Sequence, residues 1–73
     1  MYCNVFKIIP QVNYAYGIAL VAACTKNEAI STFCNDDYNE HQYNEFSCSC
    51  EMIPAMNYET AKPQVILNCI KDE

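Results

Sequence analysis

The sequence predicts a two-layer α+β domain, a four-stranded mixed sheet with one helix in the order strand–strand–helix–strand–strand, and three observations carry that prediction. The run Gly17–Ala23 (GIALVAA) is apolar on both alternating faces, the pattern of a strand covered from both sides. Directly after it, Thr25-Lys26-Asn27-Glu28 is a capping box, and Ala29, Ile30, Phe33 and Cys34 follow at helical spacing. Glu45–Ile53 then alternates, with Phe46, Cys48, Cys50 and Met52 on one face and Ser47, Ser49 and Glu51 on the other.

The remaining elements fall around these. Tyr2–Ile9 reads as a first strand. Tyr2, Asn4, Phe6 and Ile8 carry the larger hydrophobes and turn inward, and Pro10 ends the run because it lacks a ladder donor. Gln11–Tyr16 is expected to be a loop. The helix is expected to end near Asn35. Asp36–Asn44 (DDYNEHQYN) is a polar, acidic connection, and Pro54–Pro63 is a second expected loop. Gln64–Ile70 is the last expected strand, with Val65, Leu67 and Cys69 toward the core, and Lys71-Asp72-Glu73 is a solvated tail. The helix should return the chain so that the third strand lies parallel to the second, with hairpins on either flank.

The stretch Gly17–Thr32 (GIALVAACTKNEAIST) resembles a local pattern of small uncharacterised bacterial and phage-like α+β proteins, in which a strand ending in Val-Ala-Ala leads into a capped helix beginning near Glu-Ala. The resemblance covers about a quarter of the chain. It implies the strand-to-helix step and no activity.

Seventy-three residues make a single domain, 1–73, whose stability at this size is marginal. The formal charge is −5, arginine is absent, and no basic residue falls between Lys26 and Lys62, where seven carboxylates lie. Binding to nucleic acid or to an anionic membrane surface draws on cations, so neither is expected. Met1-Tyr2-Cys3-Asn4 lacks a cationic leader, and Ile18–Cys24 is too short to span a bilayer, so a cytoplasmic location is the expectation.

Catalysis finds little to work with. Gly17 is the one glycine of the chain, which removes multi-glycine phosphate loops. Ser31, Ser47 and Ser49 lack a nucleophile-elbow context, and His41, the one histidine, sits among Asp37, Glu40 and Glu45, which favour its protonated form. The reading is therefore non-enzymatic and without cofactor. Of the six cysteines, at 3, 24, 34, 48, 50 and 69, Cys48 and Cys50 with His41 are the candidate metal ligands, and the same two thiols carry an alternative redox reading. One intervening residue is fewer than the two to four of ordinary structural zinc pairs, and packing as small hydrophobes is the leading expectation for the cysteines.

A geometric shortfall carries the main functional expectation. Four strands span ~19 Å, and one helix about 10 Å wide leaves the opposite sheet face bare. The expected cover is a second copy of the chain, a dimer first, meeting at Val21, Ile66 and Ile70. A second protein partner is expected at Asp36, Asp37, Tyr38, Glu40 and Tyr43, where acidic residues alternate with tyrosines. An acidic inhibitor imitating nucleic acid is the further alternative.

Overall fold

The computed structural model describes residues 2–13, 15–35 and 48–72. Its elements, in order, are β1 (Tyr2–Pro10), β2 (Ala15–Tyr16), β3 (Ala19–Ala23), α1 (Lys26–Cys34), β4 (Cys48–Glu59), β5 (Gln64–Asn68) and β6 (Lys71–Asp72). The α+β class holds. The expected element order does not, because three strands precede the helix and three follow it.

β1, β3, β4 and β5 form one sheet in the order β4-β1-β3-β5, and every neighbouring pair is antiparallel. The sheet is therefore not mixed. β3 and β4 point the same way, as the helical connection requires, but β1 lies between them. β1 earns its interior place by being apolar on both faces: Phe6 and Ile8 on one side and Cys3 and Val5 on the other are all buried. The hairpin expected between the last two long strands is absent, since β4 and β5 occupy opposite edges. The link 60–63 has to cross three inter-strand spacings, ~14 Å, within reach of four extended residues.

The helix starts where the capping box places it. Thr25 is extended at the N-cap, and its Oγ1 accepts from the Glu28 amide at 3.1 Å. The Glu28 carboxylate reaches one residue further back than an ordinary box, accepting from the Cys24 amide at 2.9 Å. Asn35 is the C-cap, and its amide donates to Ser31 O. Ala29 and Phe33 are buried against Phe6, Ile8, Ala19, Val21, Ala23, Cys48 and Cys50, with Ile30, Cys34 and Val65 packed around them. This is the main core, and it lies on one face of the sheet.

Two irregularities set the edges. On β4, Phe6 pairs with Met52 and Asn4 with Asn57, so residues 53–56 bulge out opposite Val5. Pro54 needs no ladder donor there, and Ala55 takes a left-handed φ of 60°. This is why the expected loop beginning at Pro54 is instead strand as far as Glu59: beyond the bulge, Tyr58 and Glu59 pair again with Cys3 and Tyr2. On β5, Leu20 pairs with Leu67 but Val21 pairs with Val65, which leaves Ile66 as an extra residue. The bulge breaks the alternation. Val65 stays on the core side, and Leu67 turns to the helix-free face instead of the expected core face.

Parts of the expected loop and of the expected tail are strand instead. Ala15 and Tyr16 pair with Asp72 and Lys71. Gly17 makes this possible. Its φ is 99°, and a Cβ built there would strike the Cys69 carbonyl, while the Cys69 amide donates to Ile18 O at 2.9 Å. Glycine is required both for the positive φ and for the close approach.

Two substitutions test this backbone account by chemical denaturation. Gly17→Ala is expected to cost at least ~2 kcal/mol, because strain and collision with backbone add. Ala55→Gly is expected to stabilise by about 1 kcal/mol through relief of the left-handed penalty. A neutral Gly17→Ala would show that the 17–69 contact does not form.

Candidate interaction surface

The strand registers assemble the face that the helix does not cover. Glu51, Lys7, Leu20 and Leu67 form one row across all four strands. One step along, Ile9 pairs with Ser49, and Ile18 directly precedes β3. In the other direction lie Val5, Ala22 and Gln64, followed by Cys3 beside Tyr58.

This face is divided. Cys3, Val5 and Ala22 are buried although they lie outside the helix-side core. The other half is open: Leu67 is 46% and Ile18 38% exposed, and Leu20 and Ile9 are half-buried. Lys7 Nζ and Glu51 Oε2, 3.5 Å apart, are a cross-strand ion pair on this half. Glu51 is largely in solvent and Lys7 half-buried, so the pair contributes little to stability, and it leaves the patch without net charge. Gln11 reaches over from the strand end to donate to Ser49 Oγ at 3.1 Å.

The residues expected to mediate self-association are placed differently. Val21 is fully buried beneath the helix, because it shares a face with Ala19 and Ala23. Ile70 packs against the same core. Ile66 is half-buried at the β5 bulge. Bare apolar surface exists, but its residues are Ile18, Leu20 and Leu67. The β5 bulge hid Leu67, since a strict two-residue period assigns it to the core. Ile18 was legible as part of the doubly apolar run.

Asp36, Asp37, Tyr38, Glu40, His41 and Tyr43 lie outside the described residues, as does Tyr14. Tyr16 and Tyr58 are exposed, and so are Met52 and Met56 on β4.

The cysteines separate by position. Cys48 and Cys50 face the helix within the core, and Cys3 is buried on the other face. Cys34 is half-buried, while Cys24 and Cys69 are exposed. Cys24 and Cys69 thus depart from the expected core packing, because each sits just past the end of its strand. No disulfide joins the six. Among the described residues, no three His, Cys, Asp or Glu side chains come together as a metal group. Burial pushes the Cys50 thiol above its ordinary range, with Lys26 opposing weakly. Among the described residues, no helix is long and apolar enough to cross a membrane.

No protein-family model, curated protein or solved structure matches the chain.

Thiol chemistry checks this placement. Alkylation of the native protein is expected to label Cys24 and Cys69 first, and Cys3, Cys48 and Cys50 only on unfolding, as read by peptide mass. Cys50 also leaves a pH signature. Its folded pKa is raised, so the stability from its neutral buried thiol is complete below the unfolded thiol pKa of ~8.5 and is lost as pH rises through the folded value. Cys50→Ala is expected to flatten that alkaline decline in unfolding free energy relative to the parent. An unchanged slope would place Cys50 in solvent.

Proposed function

We propose that the chain is a non-enzymatic protein-interaction module that self-associates, as a dimer first, through the open half of its helix-free sheet face. One observation carries the reading: Leu20 and Leu67, paired on adjacent strands, form an apolar patch with Ile18 just before β3, bordered by a charge pair that is already neutralised. Scattered exposed hydrophobes are ordinary on a small domain, but contiguous ones on a sheet face call for a partner. A second copy is self-complementary to such a patch. Around a two-fold axis, Leu67 and Leu20 of one copy meet their equivalents, and Lys7 of each approaches Glu51 of the other at the rim.

Size sets the expected strength. A standard interface covers ~800 Å² per partner, about a sixth of the 4793 Å² surface of one copy. The apolar patch supplies only part of that, so a weak, concentration-dependent dimer is the expected form. Strand-to-strand pairing along β4 is the less favoured geometry, because Pro54 and the 53–56 bulge interrupt that edge. The acidic run with Asp36, Asp37, Tyr38, Glu40 and Tyr43 is our proposed contact for a different protein partner, and the cytosol is our proposed compartment.

Sedimentation equilibrium tests the dimer. The parent chain is expected to shift from monomer to dimer across the micromolar range, and Leu67→Asp to remain monomeric with an unchanged circular dichroism spectrum. Leu67 is half in solvent, so this substitution leaves the fold intact. A parent chain that stays monomeric up to millimolar concentration removes the self-association reading.

A further inference from the structure

We propose that Cys3 and Cys24 form a thiol–disulfide exchange site, in which the exposed Cys24 is the attacking sulfur and the buried Cys3 the resolving one. The juxtaposition follows from the ladder. Asn4 pairs with Ala23 as the last pair of the antiparallel strands β1 and β3, and Cys3 and Cys24 are the next residues outward on the two strands' paths. Directly opposed antiparallel residues have Cα atoms about 4.5–5.5 Å apart, inside the disulfide window of about 4.4–6.8 Å. Alternation places both residues on the helix-free face, Cys3 with Val5 and Cys24 after Ala22, and Cys3 is the leading cause that raises the Cys24 thiol above its ordinary range. Their exposures are complementary: Cys24 is open to solvent, and Cys3 is 1% exposed. A soluble disulfide can therefore reach Cys24, while Cys3 is sheltered on the neighbouring strand. Cys48 and Cys50 are not so placed. As residues two apart on one strand, they are about 6.8 Å apart along it.

The co-reactant is a low-molecular-weight disulfide such as that of glutathione. The Cys24 thiol gives its proton to water, and its thiolate attacks one sulfur of the small disulfide. That S–S bond breaks, one small thiolate leaves with the electron pair and takes up a proton, and Cys24 carries the other half as a mixed disulfide. Cys3, deprotonated in turn, attacks the Cys24 sulfur and expels the second small thiolate. Two protein thiols are oxidised to one disulfide, and one small disulfide is reduced to two thiols.

The neighbouring groups set the reactivity. Glu28 holds the Cys24 amide through its carboxylate, and Cys3 and Glu28 together keep the Cys24 thiol protonated above its ordinary range. The pair is therefore slow to react at neutral pH, and removing the Glu28 charge should speed it. Glu28→Gln retains an oxygen for the Cys24 amide and leaves the cap in place.

The test uses the full chain carrying Cys69→Ser, which removes the other exposed thiol. After incubation with glutathione disulfide, its intact mass is expected to fall by ~2 Da, and the loss should be reversed by dithiothreitol. Peptide mapping is expected to join Cys3 to Cys24. Closing this ring should raise the Tm by on the order of 10 °C. Cys3→Ala is expected to stop at a stable glutathione adduct on Cys24, and Glu28→Gln to react several-fold faster than its parent. A parent chain that keeps glutathione on Cys24 without resolving it, shows no reaction, or joins Cys24 to another cysteine overturns the proposal. The parent's mass and peptide map together decide the matter if Cys3→Ala fails to fold.

Discussion

One short helix has one sheet face to cover, and the architecture follows from how that cover is spent. The nine residues of α1 span about 14 Å. Their buried stripe, Ala29 and Phe33 with Ile30 and Cys34 beside it, reaches the middle strands β1 and β3 and the first turn of β4. The packing of Phe33 into the core cluster that holds Ile8 and Val21 is therefore the interaction on which the fold depends. Truncating Phe33, the largest fully buried side chain, deletes a buried aromatic ring, which costs about 3–5 kcal/mol. The rest of the sheet is held by pairing, by small residues such as Ala19, Ala22 and Ala23, and by cysteines used as compact apolar fillers.

The two bulges and one glycine redistribute what the helix cannot reach. The 53–56 bulge stands opposite Val5, on a face where Cys3, Val5 and Ala22 escape solvent without a helix above them. The Ile66 bulge does the reverse: it keeps Val65 inside and sends Leu67 out. Gly17 lets the chain turn tightly against residue 69, which brings 15–16 beside 71–72 and closes the end of the domain. Buried polar atoms without partners are absent among the described residues. The apolar surface left over is thus a consequence of chain path and not of a poorly satisfied interior.

How much of this was legible in the residues depended on whether the signal was local. The capping box at Thr25–Glu28, the helical stripe and the doubly apolar central strand are decided by neighbours in sequence, and each was readable. Strand order was not, because nothing local distinguishes β1 from β4 as the neighbour of β3. The bulges were hidden for a related reason: alternation is read with a fixed period of two, and an extra residue at Ile66 or at 53–56 is recognised only from the partner strand. That error moved the proposed contact surface by one face. It placed Leu67 in the core, where the register turns it out, while Val21, expected at the contact with a second copy, is sealed on the helix side because both faces of its strand are apolar. The Cys3–Cys24 proximity was equally invisible, since it depends on the β1–β3 register and not on the spacing between the two residues.

The helix-free face presents Leu67 and Ile18, while Val21 and Ile8 stay sealed in the core cluster with Phe33. Methyl NMR spectra recorded with a soluble paramagnetic cosolute test this arrangement most directly. In dilute protein, the Leu67 and Ile18 methyls should broaden strongly and those of Val21 and Ile8 should not. As the protein is concentrated, the broadening of Leu67 should diminish. Equal broadening of Val21 and Leu67 would contradict the assignment of faces, and a Leu67 signal spared even at the lowest concentration would show that the chain covers this patch by itself.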